Sequence, residues 1–377
     1  MTLPIIHSET YKLHAPTFEI WPGGRITEYF ESPQRAEIIL NALHLTGWAE
    51  VLSPDEAGEA PDEAGAPLKA GEHIGSPQRD PILAVHDADY VAFIKEGYGE
   101  WLATNPTTRE GSPPTYYPAY FPPPRWRRKP SGPQQEGSYG YYTFDLTAPL
   151  VEGTYAAVVG SAQCAITAAN LILNGQRAAY ALCRPPGHHA GRDFSGGYCY
   201  FNNTAIAARL LSTRGPVAIL DIDYHHGNGT QDIFWEDDRV LTISIHCDPR
   251  VDFPYFTGYA DEIGEGAGRG YNLNLPLPPK TDGVAYLAAL DTALDRISGA
   301  AGFKPALTKP WALVVAAGFD TFGSDPISKF ALTTADYTAI ARRIKAIDLP
   351  TVIVQEGGYN TAALGWNAVA FLEPFAE

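Results

Sequence analysis

Residues 216–235 read PVAILDIDYHHGNGTQDIFW. The opening run is almost wholly apolar, as expected of a strand buried on both faces of a parallel sheet. Directly behind it come Asp221, Asp223, His225, His226 and Asn228. Polar side chains at the carboxyl end of a buried strand sit where open α/β sheets bind their ligands. Asp223 and His225 are two residues apart, so in an extended chain they project to the same side. A carboxylate oxygen with an imidazole nitrogen is a common start to a divalent-metal site. A lone Asp or His near a strand end is often only a cap or a hydrogen-bond partner. Four ionisable groups crowded against one buried strand are different, because burying them without a cation is costly. A bound metal is the expectation.

Working outward, apolar runs at 3–7, 178–183, 217–221, 240–246, 311–317 and 351–355 alternate with helical stretches at 154–173, 202–213, 284–298 and 334–347. That alternation predicts an α/β fold, a parallel sheet between helix layers. A third metal ligand should come from another strand end, and WALVVAAGFD places Asp320 three residues beyond such a run. Two carboxylates and one imidazole neutralise Zn²⁺ and leave coordination open, the mark of a catalytic rather than a structural site. Another strand leads into CRPPGHHAGRDFSGGYCYFNN, where His188 and His189 stand side by side in a Pro- and Gly-rich segment that is no helix. Tandem histidines there suit a second metal or an acid–base pair. The Gly196-Gly197 pair lets backbone approach a ligand closely. VIVQEGGY ends the last strand, and its diglycine is read as releasing the Tyr359 hydroxyl onto the metal face as an oxyanion donor.

Composition sets the limits. The chain has 377 residues, 45% of them apolar and 19% charged, so a large core is possible and global disorder is excluded. With 27 basic against 43 acidic residues the formal charge is −16, a surface that repels nucleic acid and anionic membrane and attracts small cations. No run of 18 consecutive apolar residues predicts a membrane span, and the first residues lack a secretory pattern. Cys164, Cys183, Cys199 and Cys247 show no zinc-knuckle spacing, and a reducing cytoplasm is expected. Residues 53–80, acidic and rich in Gly, Ala and Pro, read as a surface excursion. Residues 105–149 hold ten prolines among many aromatics, including Tyr116, Tyr117, Tyr120, Phe121, Trp126, Tyr139 and Tyr142. A solvated linker would lack those aromatics, so an insertion at an interface is expected, the plainer alternative being a loop packed on its own domain.

HHAGRDFSGGYCYFNN, DIDYHHGNGTQDIFW, AGFDTFGSDP and EGGYN together resemble the arginase-fold, zinc-dependent histone deacetylase-like superfamily. Within it the chain is most similar to the acetylpolyamine amidohydrolases, down to KLHAPTFE near the start and CDPRVDFPYFTGYADE in the middle. The resemblance implies one deacetylase domain over residues 1–377, a three-layer α/β/α fold around a mainly parallel eight-stranded sheet. It implies that Asp223, His225 and Asp320 hold one Zn²⁺, and that His188 and His189 are the catalytic pair, the second acting as base and then acid. Asp221 and Asn228 match the partners that orient those histidines, and Tyr359 the residue that polarises the carbonyl. Asp221, Asp223, His225, Ser244 and Ile245 match a monovalent-cation site, K⁺ by the resemblance. Gly197, Tyr198 and Phe253 match a narrow substrate tunnel, Glu19 and Glu136 acidic positions near its mouth, and Arg35 an arginine on the acetate exit route. The insertion at 105–149 matches a segment at a homodimer interface. The implied activity is hydrolysis of acetylated polyamines or diamines to acetate and free amine. Rival readings are a protein acetyl-lysine deacetylase, a binuclear manganese hydrolase whose additional DxHxD ligands are missing, and a non-catalytic acetyl-amine binding protein.

Overall fold

In the computed structural model, residues 2–54, 80–105, 113–123, 128–129, 137–299 and 309–377 are described. The strands are β1 (Leu3–Ile6), β2 (Glu19–Trp21), β3 (Arg25–Thr27), β4 (Ala49–Leu52), β5 (Ala178–Ala181), β6 (Val217–Asp221), β7 (Val240–Cys247), β8 (Asn272–Leu277), β9 (Ala312–Ala317) and β10 (Thr351–Gln355). Eight of them form one sheet in the order β4-β1-β5-β10-β9-β6-β7-β8. Every neighbouring pair in it is parallel. The short β2–β3 pair is antiparallel and separate.

The helices are α1 (Gln34–His44), α2 (Ala88–Thr104), α3 (Ser138–Tyr141), α4 (Thr154–Leu173), α5 (Asn203–Leu211), α6 (Asn228–Phe234), α7 (Gly283–Ser298), α8 (Thr334–Ala346) and α9 (Leu364–Ala376). The period-2 alternation of the strands divides the core between them. Val217, Ile219, Val314 and Val352 face the layer of α2, α4, α5 and α6. Ala218, Leu220, Leu313 and Ile353 face the layer of α1, α7, α8 and α9. α4 is apolar and long enough to cross a membrane by composition alone, yet 67% of that window is buried against the sheet, so it serves as a core helix. α8 opens on a Thr cap: Thr333 and Asp336 form a reciprocal capping box.

The two edge strands carry no comparable apolar run. In β8 the buried positions include Asn272 and Asn274, whose amides donate to Gln231 Oε1 at 2.9 and 2.8 Å. Side-chain hydrogen bonds replace apolar burial there. Much of the aromatic insertion packs on its own domain: Tyr116, Tyr139 and Tyr142 are buried with Phe93 in the α2 layer. Tyr120 and Phe121 stay 62% and 45% exposed. Trp126, Glu136 and most of the acidic stretch at 53–80 lie outside the described residues.

Candidate metal centre and active site

Adjacent strands β5, β10, β9 and β6 deliver their carboxyl ends to one crevice. β7 and β8 continue the sheet on one side of β6 while β9 and β10 lie on the other, so the crevice is the point where strand order reverses. β6 ends at Asp221, and the chain beyond it is not extended. Asp221 Oδ1 accepts from the Asp223 amide at 3.0 Å and Asp223 Oδ1 from the His225 amide at 2.9 Å. Two successive Asx turns therefore aim these side chains, in place of the expected strand alternation.

His225 Nδ1 lies 3.0 Å from Asp320 Oδ2 and 3.3 Å from Asp223 Oδ1. One ligand atom each from Asp223, His225 and Asp320 falls within 4.8 Å of the other two, and all three residues are buried. Burial and the neighbouring Asp223 charge push the Asp320 carboxyl up to about 7. Two oxygens from buried, mutually repelling carboxylates and one imidazole nitrogen fit a divalent cation and suit zinc. Gly357 is required here. Its amide donates to Asp223 Oδ2 at 2.8 Å, and a Cβ would stand 2.6 Å from carboxylate oxygens of both Asp223 and Asp320. Gly357 thus makes room for two carboxylates, a role beyond the release of Tyr359 expected of the diglycine.

The His188 and His189 rings lie side by side, centroids 4.0 Å apart and planes tilted by 45°. His188 Nδ1 is 2.9 Å from Asp221 Oδ2, and His189 Nδ1 is 2.7 Å from Asn228 Oδ1. Burial disfavours a charge on His188, but Asp223 and Asp221 outweigh it and raise the imidazole to about 10. Burial, reinforced by the charges of His188 and His225, holds His189 well below its ordinary value. The surroundings therefore favour charge on His188 and disfavour it on His189. Glu356, which sequence reasoning did not single out, is fully buried and accepts from the Gly187 and His188 amides at 2.6 and 3.0 Å. It carried the same signal as Asp223, a polar residue directly after a buried strand.

Above this floor a cavity of about 170 Å³ opens. Its base is formed by His189, His225 and Tyr359, and its walls include Trp21, Gly197, Tyr198, Phe253 and Ile327. No hydrogen bond joins the Tyr359 hydroxyl to another described residue, and burial holds its pKa well above the ordinary value, so it remains a protonated donor. Gly197 has φ +53°, and a Cβ there would stand 2.3 Å from the His189 ring. Tyr198 at φ +67° and Tyr255 at φ +65° also line the cavity; non-glycine residues in this region are uncommon and cluster at functional sites.

Glu19, Arg35, Ser244 and Ile245 are not among the residues lining the cavity. Glu19 is fully buried behind the wall: it accepts from the Tyr198 hydroxyl at 2.7 Å and from Trp21 Nε1 at 2.6 Å. Arg35 is 2% exposed and does not line the cavity. Its guanidinium donates to the Gly358 and Glu356 carbonyls at 2.6 and 2.7 Å and lies 4.6 Å from the Tyr359 ring centroid. Ser244 is the β7 partner of Asp221. Ile245 is buried in the core on the α7 side, which leaves only its backbone for any ion.

Comparison with known proteins agrees with this geometry. Residues 29–374 match the histone deacetylase domain. The chain is 43% identical over 373 residues to acetylpolyamine amidohydrolase 1 of Pseudomonas aeruginosa, covering 98% of each protein. It is 39% identical over 375 residues to the acetylpolyamine amidohydrolase of Mycoplana ramosa, covering 99% of each. The crystal structure of an acetylpolyamine aminohydrolase from Burkholderia pseudomallei superposes with a TM-score of 0.83 at 36% identity, over 99% of this chain and 98% of that one. With a domain match across most of its length and full-length relatives of this similarity, the chain belongs to the histone deacetylase family of amide hydrolases.

Proposed function

We propose that this chain is a zinc-dependent amidohydrolase that removes the acetyl group from acetylated polyamines or diamines, giving acetate and a free amine. The observation that carries this reading is the buried Asp223–His225–Asp320 triad on the floor of a narrow, aromatic-walled cavity that also holds His189 and Tyr359. The printed names of the full-length relatives support the substrate class.

Zinc bound by the triad supplies a Lewis acid for the acetyl carbonyl and a lowered pKa for attacking water. The chain's residues do the rest. Tyr359 donates its hydroxyl to the oxygen that gains charge in the tetrahedral state. With Asn228 Oδ1 accepting at Nδ1, His189 keeps its Nε2 lone pair free to take a proton from water. Asp221 behind His188 stabilises an imidazolium, so a proton for the departing amine is stored within the histidine pair. The aromatic walls admit a slender alkyl chain and exclude bulk around the amide.

The same reading places K⁺ at Asp221, Asp223, His225, Ser244 and Ile245, supported by the pairing of Asp221 with Ser244 across β6 and β7. It also makes the chain one domain and a homodimer, with exposed Tyr120 and Phe121 in the aromatic insertion available to a second copy. The test is a kinetic panel of N-acetylputrescine, N-acetylcadaverine, acetylspermidine and an acetyl-lysine peptide on zinc-loaded protein. Higher kcat/KM for the acetylated amines supports the proposal. A clear preference for the peptide replaces it with protein deacetylation, the other activity of this family's fold.

A further inference from the structure

The cavity wall holds a charged group that the hydrolytic chemistry does not use. Among the described residues lining the cavity, Asp252 bears the one carboxylate. It lies between β7 and the wall residues Phe253 and Tyr255, and is 9% exposed. Its own backbone neighbourhood fixes it: Oδ1 accepts from the Phe253 amide at 2.9 Å, and Oδ2 accepts from the Tyr224 hydroxyl at 2.5 Å.

Oδ2 also lies 3.0 Å from Nζ of Lys329, and this partner is held far less firmly. The Lys329 side chain is 52% exposed, and its other contact is the Val251 carbonyl at 3.2 Å. A solvent-facing ammonium on a flexible four-carbon stem contributes little as an ion pair and is easily exchanged. The anchored carboxylate cannot follow it. The wall therefore carries an ammonium seat, filled by the chain's own side chain. Trp21 on the same lining also holds an intramolecular cation, the Arg25 guanidinium lying 5.3 Å from its ring centroid. Anionic and π acceptors for cations thus both line the cavity.

We propose that Asp252 is the subsite for the ammonium at the far end of the substrate, and that Lys329 is its displaceable internal competitor. The inference rests on the acetylated-amine reading above and names how that substrate class is recognised. An acetylated diamine replaces the Lys329 ammonium on Oδ2. An uncharged alkyl acetamide gains nothing there and leaves Lys329 seated. An acetyl-lysine peptide presents amides at that depth instead of an ammonium, so the subsite also separates small amines from proteins. A tenfold change in kcat/KM corresponds to about 1.4 kcal/mol, a size a carboxylate–ammonium pair in a partly buried wall can supply.

The experiment compares N-acetylputrescine with its neutral isostere N-pentylacetamide in the zinc-loaded wild type, Asp252→Asn and Lys329→Gln. The readout is the charged-to-neutral ratio of kcat/KM, with metal content and circular dichroism as controls of folding. Asp252→Asn should lower the ratio about tenfold, through KM, and Lys329→Gln should raise it about threefold. An unchanged ratio in Asp252→Asn, or a fall in Lys329→Gln, overturns the subsite. If Asp252→Asn does not fold, the sign of the Lys329→Gln effect decides alone. A wild-type ratio well above one with unresponsive variants rejects the subsite and spares the substrate reading. A wild-type ratio near one with unresponsive variants rejects both.

Discussion

The hydroxyl of Tyr198 donates to Oε2 of the fully buried Glu19 at 2.7 Å, while Oε1 of the same carboxylate accepts from the Trp21 indole at 2.6 Å. One buried acid thereby fixes two walls of the cavity. Replacing it by alanine strands both donors, and each buried donor left unpaired costs about 1–3 kcal/mol. Glu19→Ala is expected to lower unfolding free energy by that order, measured in denaturant, and to raise KM for charged and neutral amides alike. A selective loss for charged amides would mean that Glu19 meets the substrate ammonium directly.

The triad predicts the metal stoichiometry. Asp320 Oδ1 is already committed to the Tyr224 amide at 2.9 Å, so only Oδ2, beside His225, faces the other ligands. Asp320→Ala should remove bound zinc, about one ion per chain in the wild type, as read by elemental analysis. Chelation should abolish amide hydrolysis and zinc should restore it. Full activity in metal-free protein would overturn the mechanism.

Tyr359 is expected to act on the transition state more than on binding. Its ring rests on the Arg35 guanidinium, and its hydroxyl is left free of hydrogen bonds to described residues. Tyr359→Phe removes one preorganised donor and should lower kcat about 100- to 1,000-fold with zinc content unchanged. A change below about threefold would reassign the residue to wall packing.

What was legible in the chain follows from where the physics is local. The runs 217–221 and 351–355 coincide with β6 and β10, because a strand buried on both faces must be apolar throughout. Polar residues directly after such runs marked Asp223, His225 and Asp320, and the same logic should have marked Glu356. β4 and β8 escaped because edge strands are short or half-exposed, and β8 turns asparagines inward. Glu19 and Asp252 show the limit most clearly. Both are acids near the cavity, yet Glu19 is sealed behind Tyr198 and Trp21 while Asp252 reaches the lining. The seal on Glu19 needs Tyr198, 179 residues away, and no local pattern encodes such a contact.

The last prediction concerns the support beneath Tyr359. Glu31 is fully buried between two arginines that are each 2% exposed. Its Oε1 lies 2.7 Å from Arg35 Nη1 and 3.0 Å from Arg184 Nε. Arg35 passes this constraint on to the Glu356 and Gly358 carbonyls that flank Gly357, and Arg184 ties in the Tyr11 and Glu31 carbonyls. Removing the carboxylate leaves two buried guanidinium groups without a counter-charge, and breaking a buried pair in this way costs about 3–5 kcal/mol. Glu31→Ala should therefore destabilise the fold by that amount in denaturant titrations. Glu31→Gln keeps an acceptor and the volume, so it should fold more stably than Glu31→Ala while losing kcat through a loosened Tyr359. Equal stability of Glu31→Gln and wild type, with unaltered kcat, would show that backbone carbonyls alone compensate the two arginines.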